Sequence, residues 1–145
     1  MLLRPRDPRL AQELASHEGV ELVEPVEDLQ ALAELYRRCW VSVLPSVKDS
    51  FGIVLIESLA CGRPVVASNA DALPEVVDRD TIGRLFDGED ERALADALLG
   101  ALELCGDPRT VAACRERARE FSSELFVQAY TELYEELLTE RGCAA

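Results

Sequence analysis

The chain has 145 residues, which suits one domain with a hydrophobic core of its own. Its composition, 48% hydrophobic and 30% charged, is that of an ordinary globular protein, and its formal net charge is −13. That charge argues against nucleic-acid binding and against broad docking on anionic lipid, both of which need a basic surface.

The predicted elements alternate between helices and short strands. Asp7-Pro8 reads as a helix cap followed by proline at the first helical position, opening a helix to about Ser16 that Gly19 helps to end. Val20 to Val23 is a short strand. Glu27 to Arg38 repeats apolar residues at helical spacing (Leu29, Leu32, Ala33, Leu35, Tyr36). Trp40 to Leu44 is a second strand, closed by Pro45. Phe51 to Cys61 is apolar on nearly all sides and is expected to be a buried helix, ended by Gly62. Val65 to Ala67 is the third strand. A loop over Ser68–Ala72 and a short helical segment near Pro74–Val77 follow, then a fourth strand at Ile82–Phe86. Asp87 or Gly88 is expected to begin a long helix to Cys105, and Asp107-Pro108 another to Phe121. Ser122 or Ser123 caps the last helix, with Phe126, Ala129, Tyr130, Leu133 and Leu137 on one face. The tail Arg141–Ala145 is expected to fray.

Strands that alternate with helices give an α/β fold, a Rossmann-like parallel sheet of about four strands flanked by helices. Residues 1–145 read as a single partial domain, with 122–140 as its C-terminal helix. No apolar run approaches the ~20 residues of a transmembrane segment, and Met1–Leu10 lacks the apolar stretch of a signal peptide. The five cysteines are odd in number and show no C-x-x-C spacing, and there is one histidine, His17. Reduced thiols in a cytoplasmic protein fit this pattern better than a disulfide framework, a zinc site or a histidine-based triad.

Chemistry concentrates at Pro45 to Val77. A helix that starts near Phe51, after a strand and a loop, has its N-terminus at the carboxyl end of the sheet, where open α/β sheets bind ligands. Its first N–H groups suit phosphate or sugar oxygens, and Gly52 is expected to allow close approach of a ligand. Glu57 is the only charged residue between Phe51 and Cys61, and at helical spacing it shares a face with Ile53 and Ala60. It either bonds a neighbouring backbone group or arginine, or accepts hydrogen bonds from ligand hydroxyls such as those of a ribose. Asp49 lies eight positions earlier, at the mouth of the helix. Two carboxylates so placed suit a long ligand over the helix start rather than a paired-carboxylate hydrolase.

The stretch Pro45-Ser-Val-Lys-Asp-Ser-Phe-Gly-Ile-Val-Leu-Ile-Glu57-Ser-Leu-Ala-Cys-Gly-Arg-Pro-Val-Val-Ala-Ser68, followed by Leu73-Pro-Glu-Val-Val77, resembles the group 1 (family 4) retaining glycosyltransferases. Their motif is two glutamates with seven residues between them, around a Phe-Gly turn, then Ala-Cys-Gly-x-Pro-Val-Val-Ala and Leu-Pro-Glu. The similarity runs from about Val20 to Leu138. It implies an enzyme of two Rossmann-like domains that takes a nucleotide-diphosphate sugar as donor, retains anomeric configuration and needs no bound metal or other cofactor. It further implies that Glu57 holds the ribose hydroxyls and that Asp49 stands where the first glutamate contacts the donor sugar, as the catalytic carboxylate. The donor-binding set is then Asp49, Ser50, Phe51, Gly52, Ile53, Val54 and Glu57.

Three departures from the family pattern stand out. Asp49 is one methylene shorter than glutamate. Asp71 and Ala72 replace two glycines before Leu-Pro-Glu. The acceptor domain and the first strand–helix unit, which bears the basic residues that grip the diphosphate, have no counterpart here, and Arg4, Arg6 and Arg9 lie outside the right context. The expected partner is therefore the missing N-terminal acceptor domain or a partner chain. The alternative reading is a non-catalytic half-domain or subunit. An unrelated flavodoxin-like module would need a phosphate loop after its first strand, where Val23-Glu24-Pro25 has no glycine.

Overall fold

The computed structural model describes residues 2–3 and 7–140, with side chains described for residues 7–139. The expected fraying of Arg141–Ala145 and the context of Arg4 and Arg6 lie outside the described residues. The chain divides into two compact units, Met1–Glu34 and Leu35–Ala145.

In the first unit, β1 (Leu2–Leu3) pairs in parallel with β2 (Leu22–Val23), with helix α1 (Pro8–Ala15) between them in sequence. Asp7 caps α1 as expected, its Oδ1 accepting the Arg9 N–H at 2.9 Å, and Pro8 opens the helix. Strand β1 was not anticipated, because two residues carry no readable alternation. Helix α2 (Leu29–Arg38) begins in this unit, where Asp28 Oδ2 accepts the Ala31 N–H at 2.7 Å.

The second unit is built on a three-stranded parallel sheet in the order β3 (Ser42–Leu44), β4 (Val65–Ser68), β5 (Gly83–Phe86). Helices α3 (Ile53–Ala60) and α4 (Leu73–Val76) form the connections, and α5 (Glu91–Leu102), α6 (Pro108–Arg119) and α7 (Ser123–Glu140) follow β5. The α/β class and parallel sheet are as expected. β4 is buried at all four positions and shows the two-sidedness of a central strand. Val65 and Ala67 join Leu55, Leu59, Leu73, Val76, Ile82 and Cys114 in one core. Val66, one residue out of phase, joins Phe86, Ala97 and Ala101 in the other. Gly62 ends α3 with φ +75° and brings it against α6, where an added Cβ would lie 2.8 Å from Val111 Cγ1.

Two local expectations change. Helix α5 starts at Glu91, not at Asp87 or Gly88: Asp90 is the cap, accepting from Arg92 N–H at 2.8 Å. Asp87 instead accepts from Asn69 Nδ2 at 2.8 Å, and Gly88 turns the chain at φ +64°. Helix α3 is not buried all round: Leu55, Ser58 and Leu59 are buried, while Ile53 and Val54 are 62% and 44% exposed. Apolar periodicity cannot tell a core face from an exposed apolar face. Part of the negative charge is structural. Asp7, Asp28, Asp90 and Asp107 each accept an N–H in the first turn of a helix, and each such cap stabilises by about 1 kcal/mol.

Candidate functional site

The loop from β3 to α3 leaves the carboxyl end of the sheet at Pro45. The end of β4 holds it there through Ser68, whose hydroxyl donates to the Ser46 carbonyl. Ser46 Oγ in turn accepts the Lys48 N–H at 3.3 Å, which tightens the loop, while Lys48 and Ser50 stay exposed. Asp49 closes the loop onto the helix: its Oδ1 accepts from the N–H groups of Phe51 at 3.0 Å and Gly52 at 2.6 Å. Two of the four N–H groups expected to meet a ligand thus have an acceptor within the chain. Among the described residues no acceptor reaches the N–H groups of Ile53 and Val54 in the first turn of α3. Both residues are exposed, so a positively polarised helix start faces outward.

Gly52 has a different reason to be glycine than the one expected. It is buried and left-handed at φ +74°, and a Cβ would sit 2.7 Å from Leu73 Cδ2 and 3.3 Å from Leu55 Cδ1. The group on the Cβ side of Gly52 is Leu73, from the Leu-Pro-Glu segment. This contact fixes the start of α3 against the start of α4.

Glu57 is half-buried one turn into α3, and its former face mates are open to solvent, since both Ile53 and Ala60 are exposed. Tyr36 of α2 donates its hydroxyl to Glu57 Oε2 at 2.8 Å. Burial first, and then this bond to a carboxylate, push the Tyr36 phenol well above its ordinary value, so it remains a donor. Sequence reading missed Tyr36 as part of the site because its helical spacing with Leu29 and Leu32 marks it as a core residue.

A second missed group supports the other side. Phe51 is 44% exposed and meets Phe121 edge-on, with ring centroids 5.6 Å apart. Arg117 lies over the Phe121 ring at 4.5 Å. Its guanidinium donates to the carbonyls of Val76, at 3.2 Å, and Glu75, the last turn of α4, and pairs with Glu120. Arg117 is buried and also lies 3.5 Å from Asp78 Oδ1. The order Phe51, Phe121, Arg117, α4 is therefore one packed series. Phe51 also edges an open groove of about 900 Å³ bounded by Phe121, Phe126 and Ala129.

Asp71, in the place of a family glycine, adopts φ +48°, the only positive φ at a non-glycine among the described residues. The loop keeps the left-handed turn that glycine favours and adds a carboxylate to it.

Comparison with known proteins gives this geometry a family. The model of the family described as Glycosyl transferases group 1 matches residues 4–104. A D-inositol 3-phosphate glycosyltransferase of Corynebacterium jeikeium is 38% identical over 130 residues, 88% of this chain and 30% of that protein. One of Xylanimonas cellulosilytica is 39% identical over 137 residues, 90% of this chain and 32% of that protein. Among solved structures, sucrose-phosphate synthase of Thermosynechococcus elongatus superposes with a TM-score of 0.73 at 31% identity, covering 91% of this chain and 33% of that one. An Anabaena protein solved with UDP and glucose shares the fold, with a TM-score of 0.62 at 23% identity over 90% of this chain and 35% of its own. The chain thus spans about a third of the length of the relatives it matches. The matched stretch includes the β3–α3 loop, the start of α3 and the Leu-Pro-Glu segment, and the chain belongs to the group 1 glycosyl transferases.

Proposed function

We propose that the start of α3 is the donor-binding site of a retaining glycosyltransferase, of which this chain supplies the nucleotide-sugar half. Glu57 accepts hydrogen bonds from the ribose hydroxyls, and the N–H groups of Ile53 and Val54 receive phosphate or sugar oxygens. Asp49, Ser50, Phe51 and Gly52 form the wall facing the donor sugar, with Asp49 as the carboxylate nearest the reacting carbon. No metal ion takes part, since backbone N–H groups and the helix dipole meet the negative charge. One observation carries the reading: an exposed helix start, with two N–H groups that meet no acceptor among the described residues, stands one turn from a half-buried carboxylate held by the Tyr36 hydroxyl. An acceptor domain completes the cleft that aligns the second substrate and excludes water.

Titration calorimetry with UDP, GDP, ADP and UDP-glucose tests this. At least one nucleotide binds, and Glu57→Ala weakens it about tenfold or more, the worth of a hydrogen bond to a charged group. Absence of binding by all four, or an unaltered Kd in Glu57→Ala, overturns the proposal.

The second reading, a half-domain that binds a partner chain without catalysis, draws on α7. Phe126, Val127 and Tyr134 are each about 60% exposed there, more apolar surface than a lone helix face usually leaves to water. A monomer at micromolar concentration by light scattering, together with nucleotide binding, rules that reading out.

A further inference from the structure

We infer that Tyr36 is the positioning residue of the site: it holds one oxygen of the Glu57 carboxylate so that the other is presented, pre-oriented, to the ligand. The inference rests on the proposed role of Glu57 toward ribose hydroxyls and goes beyond it, to a residue outside the Pro45–Val77 stretch.

An ionised carboxylate only accepts hydrogen bonds, and each oxygen can take two. Tyr36 Oη occupies Oε2 at 2.8 Å. Oε1 has no protein donor among the described residues, and it is not buried, since Arg63 Nε is the only buried unpartnered side-chain polar atom among them. The carboxylate is thus divided into a structural oxygen and an open one. The side-chain donor that meets it is the neutral Tyr36 hydroxyl. The phenol is an obligate donor at neutral pH, because burial and the adjacent carboxylate both disfavour the phenolate. An O–H to carboxylate bond is charge-assisted and stronger than a neutral one. Its consequence for binding is entropic as well: a glutamate side chain on an exposed helix face samples several rotamers, and one pinned at Oε2 does not pay for that ordering when a ligand arrives. Tyr36 comes from α2, nine residues before the β3–α3 loop opens at Pro45 and on a different element from Glu57, so the orientation of the carboxylate depends on a contact between two elements.

The test separates this role from mere folding. Calorimetry compares the tightest-binding of UDP, GDP and ADP with its 2′-deoxy counterpart, and the ratio of the two affinities reads the ribose contact alone. The unmodified chain prefers the ribonucleotide by about tenfold. Tyr36→Phe keeps the ring and removes only the donor. It lowers that preference by about three- to tenfold, with little change for the 2′-deoxy ligand and a native-like melting curve. Glu57→Ala abolishes the preference, and Tyr36→Phe adds nothing further in the Glu57→Ala background. If Tyr36→Phe weakens both ligands equally, or leaves the ratio unchanged while Glu57→Ala abolishes it, the positioning role is wrong and the ribose role of Glu57 stands. If Glu57→Ala itself leaves the ratio unchanged, the ribose role fails and the positioning role fails with it.

Discussion

Asp49 Oδ1 accepts the Gly52 N–H at 2.6 Å, and the same oxygen takes the Phe51 N–H at 3.0 Å. The residue in the place of the family's first motif glutamate is thus also the cap of α3, for Gly52, the residue at the cap position, has no side chain to do this. A carboxylate one methylene shorter than glutamate folds back onto the N–H groups two and three residues on, a ring that aspartate and asparagine close readily.

The first prediction separates the two roles. Asn at position 49 keeps the accepting oxygen and loses the charge, so Asp49→Asn changes unfolding free energy in urea by less than about 0.5 kcal/mol, whereas Asp49→Ala costs about 1 kcal/mol. Under the proposed function, Asp49→Asn spares binding of the nucleoside diphosphate and weakens the full sugar nucleotide. Equal stability of the two variants would contradict the capping role, and equal loss of both ligands would contradict the sugar role.

Gly52→Ala is predicted to destabilise by about 2–3 kcal/mol. A side chain at φ +74° costs about 1–2 kcal/mol by itself. The added methyl also displaces the fully buried Leu73 from 2.7 Å. Pairing it with Leu73→Val makes room for the methyl and recovers part of the loss, and urea denaturation of both chains measures it. No recovery would place the whole cost in the backbone.

Arg117→Met is predicted to cost about 2–4 kcal/mol, because the α4 carbonyls of Glu75 and Val76 lose a charged donor in a buried setting. Arg117→Lys recovers less than half, since a single ammonium cannot span two carbonyls, Glu120 and the Phe121 face together. Hydrogen exchange localises the effect: the amides of α4 lose protection in both variants. A loss confined to α6 would remove the link between Arg117 and the site wall.

Asp78 sets an acid limb on stability. The hydrogen bond from Arg79 holds its carboxyl below the ordinary carboxylate range, burial opposes this, and attraction to Arg117 adds to it. A folded value below the unfolded one means that the contribution is complete above about pH 4 and is lost as pH falls through the folded value. The pair is solvent-exposed in part, so the effect is about 1 kcal/mol or less and weakens with salt. Urea midpoints between pH 2 and pH 6 check this. Asp78→Asn flattens the limb below pH 4, and an unchanged limb would assign it to other carboxylates.

The order of elements, the α/β class and most helix starts were legible in the residues, because the signals there are local. Asp7, Asp107 and Pro108 act within three residues of themselves, and the alternating strand and helix pattern admits few other folds. The strand, loop and helix start that follow one another from β3 to α3 were equally legible, since their signals lie in neighbouring residues. What sequence could not show is what each side chain meets across the fold. Glu57 was read against its helical neighbours Ile53 and Ala60, and its partner proved to be Tyr36, twenty-one residues away. Gly52 was read for the approach of a ligand, and the neighbour that its missing side chain admits within the fold, Leu73, was not foreseen. Arg117 is one arginine among several in its helix until α4 brings two carbonyls to it. Caps and periodicity are short-range and are written into neighbouring residues. Partners of buried charge are chosen by packing between elements, which only the tertiary structure decides.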